Sequence, residues 1–331
     1  MTEIRQLIPE HPPYRLSFNH PLYHAFFDLN PSDIRYRPYA LKAGAQDKKP
    51  AAIGIDIGCR TAVFFFRWDV SCGWDGLADS PKHHCLGYSM RSARLLGSNL
   101  MAYITSEHEA AVPLSHAKKF LDADPQRTGK FFIAQARYHG QWKTREAALP
   151  MLLNTYHNQT EVPVRFESRD IPISSERLFE TPLVYMTGHR EFTLTKMEIQ
   201  NLRRFLQRGG ILFAESCCGR SGFDRAFRRE TRHVLSGGDM RRIPPSHPVF
   251  HFPNDIDSVQ PRPALRTALN VDGAVKPVLF GATINNRLAV IYSPYGLACG
   301  WELAPCPYCR GIQSKDALRV GVNILGYVLL E

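Results

Sequence analysis

The stretch PLVYMTGHREFTLTKMEIQNLRRFLQRGGILFAESCCG, residues 182–219, decides the fold. PLVYMTG is a short apolar run without alternation, the pattern of a strand buried on both faces. Thr195 and Glu198 have capping-box spacing for a helix that carries Ile199, Leu202 and Leu206, and Gly209-Gly210 terminates it. ILFAES, residues 211–216, reads as the next buried strand. Strand, helix and strand in this order predict a unit of parallel sheet with a crossover helix.

The same alternation continues on both sides. Upstream, FFIAQARY (131–138) predicts a strand, and Leu149, Leu152, Leu153 and Tyr156 share one face of a helix, with VPVRF (162–166) a further strand. Downstream, residues 223–234 have a helical pattern. KPVLFGATI and NRLAVIYS pair as a hairpin around Asn285-Asn286, and Ser314 opens a last helix through Leu329. The predicted class is α/β, a doubly wound and mostly parallel sheet.

Sliding the chain along itself by 227 residues aligns 7–75 with 234–302 without a gap, and sixteen of those 69 positions are identical. They include His20-Pro21 with His247-Pro248, Arg60 with Arg287, and Cys72-Gly73-Trp74 with Cys299-Gly300-Trp301. After a three-residue slip, Cys85, Gly87, Gly97, Asn99 and Tyr103 match Cys309, Gly311, Gly321, Asn323 and Tyr327. The expected organisation is therefore a partial copy holding the back half of the domain (1–106), a polar linker with one short helix (107–128), and a complete domain (129–331). A half-domain alone exposes one face of its strands, so the partial copy is expected to pack on the complete one or to offer that face to a protein partner.

Composition narrows the function classes. With 331 residues, 44% apolar and 22% charged, the chain is ordinary globular material, and its net charge of +10 permits an acidic partner without demanding one. No apolar run is long enough to cross a bilayer. Ten arginines lie between Arg203 and Arg242, but Asp224 and Glu230 interrupt them, and neither a nucleic-acid motif nor a glycine-rich phosphate loop is present. Nucleic acid is not the expected partner; a solvated helix face is.

In an open α/β sheet, ligands bind beyond the carboxyl ends of the strands. That rule selects Gly188, His189, Glu215, Cys217, Cys218 and Gly219, with His247, Arg287, Trp301 and Glu302 as further lining of one cleft. A thiol at a strand-to-helix turn suits a nucleophile, so Cys217 or Cys218 with His189 as base is one reading. The other is a metal site. Cys299, Cys306 and Cys309 include the two-residue spacing of a zinc knuckle, with a fourth ligand from Cys217, Cys218 or a histidine. The first copy keeps Cys72 and Cys85 and places His83-His84 where CPYC begins.

The 182–219 stretch, together with SHPVF, NNRLAVIYS and CGWE, resembles the bacterial family catalogued as domain of unknown function 4159. The resemblance implies a class I glutamine amidotransferase-like fold without an assigned activity. The loop at 216–219 would then take the position of the amidotransferase elbow, yet Gly-x-Cys-x-Gly is missing there and no His-x-Glu pair follows near the C-terminus. The expected function is a binding or scaffold module with a cysteine-rich site for zinc, the alternative a thiol-dependent hydrolase or transferase. Relatives are often exported or membrane-anchored through upstream segments. A cytoplasmic location is expected if Met1 is the start, and an exported or membrane-associated one if sequence precedes it.

Overall fold

Two compact units, residues 1–109 and 110–331, divide the chain in the computed structural model, which describes residues 11–49, 51–75, 84–117, 132–160, 168–304 and 306–330. Unit 1 contains β1 (Tyr14–Arg15), α1 (Pro38–Lys42), β2 (Ala52–Ile57), β3 (Arg60–Phe66), α2 (Ser71–Trp74) and most of α3 (Met90–Ala117), which runs past its end at residue 109. Its strands form an antiparallel sheet in the order β1-β2-β3. The helix α3 runs on to Ala117, into the segment read as linker.

Unit 2 contains β4 (Ile133–Arg137), α4 (Ala148–Thr160), β5 (Ser168–Pro172), β6 (Leu183–Gly188), α5 (Lys196–Gln207), β7 (Ile211–Ser216) and α6 (Ser221–Val234). It continues with β8 (Arg241–Arg242), α7 (Pro263–Leu269), β9 (Phe280–Ile284), β10 (Arg287–Ser293), α8 (Ala298–Trp301) and α9 (Ser314–Leu330). The sheet order is β5-β4-β6-β7-β10-β9-β8. Neighbours from β5 to β10 are parallel, and β9 and β8 add an antiparallel edge. The VPVRF segment lies outside the described residues, and the strand observed next is the polar SRDIP of β5.

The apolar runs fill both faces because successive strand residues point to opposite sides. Leu183 and Tyr185 join one core with Phe213, Ile291, Trp301 and the apolar face of α9. Val184 and Met186 join the other with Leu202, Phe205, Leu212 and Phe227. The capping box forms as expected: Thr195 accepts from the Glu198 N–H at 3.2 Å, and Glu198 accepts from the Thr195 N–H at 2.7 Å. Asn285 and Asn286 turn the β9–β10 hairpin at φ +52° and +62°, the left-handed conformation a two-residue hairpin loop requires.

Each unit repeats the same local bonds within itself. Trp74 Nε1 donates to the Ala93 carbonyl and Trp301 Nε1 to that of Ala317, both at 2.9 Å. His24 contacts Asp28, and His251 contacts Asp255, each at 2.5 Å. Asn99 Nδ2 donates to the Phe27 carbonyl and Asn323 Nδ2 to that of Asn254. Trp74 is nevertheless 48% exposed and Trp301 fully buried. The difference follows from α4, whose Ala148, Leu149 and Leu152 share a core with Trp301.

Around α1 and α7 the equivalent bonds fall at a different residue spacing from the 227 of the self-alignment. That alignment pairs Arg262 with Arg35, but the residue in the matching position is Arg37, 262 − 37 = 225 residues away. Arg37 and Arg262 both precede a helix that starts with proline, and their N–H groups donate to the Gly87 and Gly311 carbonyls. The loops around α1 and α7 thus differ in length by two residues on either side of these helices.

A Cβ built on Gly300 would lie 2.3 Å from the Ala317 Cβ, so α8 and α9 touch only because Gly300 has no side chain. Gly300→Ala is expected to destabilise unit 2 by about 1–3 kcal/mol, as overpacking does, measured by urea unfolding against the wild-type chain.

Candidate metal centre

The site begins with a carboxyl that has no solvent. Glu215, next to last in β7, is fully buried. Its Oε1 accepts from the Tyr185 hydroxyl at 3.0 Å and the Thr187 hydroxyl at 2.8 Å, both on β6. Its Oε2 accepts from the Leu297 N–H at 2.5 Å and the Ala298 N–H at 3.4 Å, at the start of α8. Burial pushes the carboxyl up to about 7 despite these donors. Glu215 therefore joins the ends of β6 and β7 to the helical turn that carries Cys299.

Immediately after β7, Cys217–Gly219 make a tight turn in which Cys218 has φ +54° and Gly219 φ +62°. Gly219 is required there, because a Cβ would lie 2.5 Å from the Arg310 carbonyl oxygen. The Arg310 N–H donates back to the Cys218 carbonyl at 3.1 Å, clamping the 306–310 loop onto the turn. A Cβ on Gly311 would lie 2.9 Å from Cys309 Sγ and 2.3 Å from the Gly296 carbonyl oxygen, so glycine is needed at this crossing too.

These constraints gather the thiols. Cys218 Sγ lies 3.3 Å from Cys299 Sγ and 4.0 Å from Cys306 Sγ, and it also interacts with the Cys217 and Cys309 thiols. Cys217, Cys218, Cys299 and Cys309 are at most 1% exposed, and Cys306 is 5% exposed. None of the eight cysteines forms a disulfide. Hydrogen bonding from Cys217 and from the other thiols holds Cys218 well below the usual thiol range, and Cys217 does the same for Cys299. Cys306 and Cys309 are pushed well above it, first through their hydrogen bonds to Cys218.

A tetrahedral ion with bonds of about 2.3 Å to sulfur sets sulfur–sulfur edges of about 3.8 Å, and the two measured separations bracket that value. Among Cys218, Cys299 and Cys306 such a spacing fits one ion better than a polynuclear iron–sulfur cluster, whose ligands stand further apart. Arg262, 8% exposed, supports the frame: its guanidinium donates to the Cys299, Ala304 and Ile312 carbonyls at 3.3, 2.7 and 3.2 Å. Sequence reading did not single out Arg262; its position just before a proline-started helix was the available signal.

Other residues predicted for one cleft are dispersed. Gly188 ends β6 against Tyr138 and Phe223, where a Cβ would lie 2.4 Å from the Tyr138 hydroxyl. His189 is 8% exposed and its Nε2 has no hydrogen-bond partner, so that nitrogen does not engage a thiol. His247 Nδ1 accepts from the Val249 N–H at 3.2 Å, and the residue borders a cleft of about 560 Å³ beside β8, lined also by Arg241 and Arg242. Arg287, expected in the cleft lining, donates to the Leu206 and Gly210 carbonyls around the end of α5. Glu302 accepts from Arg145 at 3.3 Å and from the Ala147 N–H at 2.8 Å. Along α6, Arg225, Arg228 and Arg229 are paired with Glu191, Asp224 and Glu230.

The family model described as Domain of unknown function (DUF4159) matches residues 1–105 and 132–329, and the chain belongs to this family. No curated protein matches it. Among the described residues, no helix is long and apolar enough to cross a membrane.

In metal-free, reduced protein, Glu215 makes stability depend on pH. Between its ordinary 4.5 and about 7 the unfolded chain ionises this carboxyl while the folded chain keeps it protonated. Its contribution is therefore complete below pH 4.5 and is lost as pH rises through about 7. Glu215→Gln keeps an acceptor for Leu297, and the Tyr185 and Thr187 hydroxyls can turn to accept from the amide. Relative to this variant, the wild-type chain is expected to lose on the order of 3 kcal/mol across that window, read by urea unfolding at a series of pH values.

Proposed function

We propose that the protein is a binding or scaffold module whose unit 2 is built around a zinc-class thiolate centre of Cys218, Cys299, Cys306 and Cys309. The observation that carries this reading is the convergence of buried thiols at the spacing of one tetrahedral ion. Soft thiolates select zinc-class cations over magnesium or calcium. Four protein ligands leave no position for substrate, which is the arrangement of a structural rather than a catalytic zinc. The ion would fasten three segments, namely the turn after β7, the turn of α8 and the 306–309 loop. Cys217, within 4.8 Å of Cys218 and Cys299, serves as a hydrogen-bonding neighbour of the ligands.

The parallel strands β4, β5, β6, β7 and β10, taken in chain order, lie in the spatial order 2-1-3-4-5, which supports a flavodoxin-like core of the amidotransferase kind. The bonds repeated inside each unit support the origin of residues 1–106 as a partial copy. A thiol-dependent hydrolase using Cys217 or Cys218 draws support from the strained φ of Cys218. It is the weaker reading, because that sulfur is enclosed by other thiols.

Elemental analysis of protein purified without affinity metal and dialysed against a mild chelator tests the proposal. About one tightly held zinc per chain is expected, lost in Cys306→Ser and in Cys309→Ser. Metal-free wild-type protein in which Cys217 or Cys218 alone is alkylated rapidly at neutral pH would replace the metal reading with the hydrolase.

A further inference from the structure

We propose that unit 1 carries a second, solvent-open cation site, formed by Asp69, Cys72 and Cys85, which takes a zinc-class divalent ion and leaves one coordination position to an exchangeable ligand. A carboxylate oxygen of Asp69 and the Sγ atoms of Cys72 and Cys85 all lie within 4.8 Å of one another. The two segments that supply them are tied by backbone bonds: the Asp69 N–H donates to the Leu86 carbonyl at 3.0 Å, and the Tyr88 N–H donates to the Asp69 carbonyl at 2.9 Å. Gly87 permits the approach, since a Cβ there would lie 2.3 Å from the Asp69 carbonyl oxygen and 2.9 Å from Cys85 Sγ.

The carboxylate is oriented before any ion arrives. Oδ1 accepts from the Ser71 hydroxyl and the Cys72 N–H, both at 3.0 Å, while Oδ2 faces Cys72 Sγ at 3.2 Å. Outer hydrogen bonds of this kind fix a metal ligand and raise its affinity. Two sulfurs with one oxygen suit a borderline-soft divalent ion, and three protein ligands are the number that leaves a position open. Exposure agrees: Cys85 is buried, Cys72 half-buried and Asp69 exposed, so the cluster opens to water on the Asp69 side.

The same frame in unit 2 shows what differs. The Gly296–Gly311 bridge there matches the Asp69–Gly87 bridge, and Cys299 and Cys309 stand where Cys72 and Cys85 stand. Unit 2 completes its proposed set with Cys218 and Cys306, whereas the described residues of unit 1 add a carboxylate. Because no residue is shared, this inference extends the metal reading to new ligands without requiring the first site to hold.

Full-length protein loaded with zinc, desalted and mixed with the chromophoric chelator 4-(2-pyridylazo)resorcinol reads both sites by rate. The expectation is a fast phase of about one equivalent from unit 1 and a slow one from unit 2. Asp69→Asn, which retains the acceptor for Ser71 and Cys72, and Cys72→Ser should each weaken the fast site about 10-fold or more, leaving the slow phase unchanged. A fast phase that is missing in wild-type protein, or identical in both variants, overturns the proposal. A fast phase that responds to the variants while the slow phase is missing upholds it and instead removes the thiolate centre of unit 2.

Discussion

Glu215 is the point on which the functional end of unit 2 depends. A buried carboxyl is costly unless its oxygens are satisfied, and here four donors from two separate segments converge on it. Tyr185 and Thr187 belong to β6, whereas Leu297 and Ala298 follow β10, so one side chain fixes the spacing between a strand end and a loop that are distant in sequence. The thiols inherit that geometry. Cys217 and Cys218 follow Glu215 after Ser216, and Cys299 sits one residue beyond its last donor. This pin adds to the parallel pairing of β7 with β10 and to the Cys218–Cys299 contact in aligning the turn after β7 with the turn of α8.

Much of this was legible in the sequence because it is local. A buried parallel strand needs uninterrupted apolar residues, so PLVYMTG and ILFAES announced themselves, and the Thr195–Glu198 box and the Asn-Asn hairpin are readable at spacings of three residues or fewer. Elements with little apolar content were not readable. The strand β5 is SRDIP and β8 is Arg-Arg, each held at an edge by backbone pairing that needs no particular side chain. The site divides in the same way: CPYC advertises ligands by spacing, but the selection of Cys218 beside Cys299 depends on a contact between residues 81 apart. Asp69 gave no signal at all, since its place beside Cys72 and Cys85 comes from a parallel bridge to Gly87, distant in sequence.

That bridge explains why two units with the same frame arrive at different chemistry. In each, a glycine without Cβ lets two segments pair in parallel beside a cysteine sulfur, Asp69 with Gly87 at Cys85 and Gly296 with Gly311 at Cys309. The frame thus delivers one buried sulfur and one sulfur from the Cys-Gly-Trp turn, and the remaining ligands depend on what lies above them. In unit 2 the β7 turn and the Cys306 loop close over the pair, enclosing five thiols and excluding water. Unit 1 has no described segment supplying further thiols to that pair, and an aspartate takes the place of Gly296. The number of thiols each unit gathers follows from this covering, so the two proposed sites differ in how many sulfurs each offers.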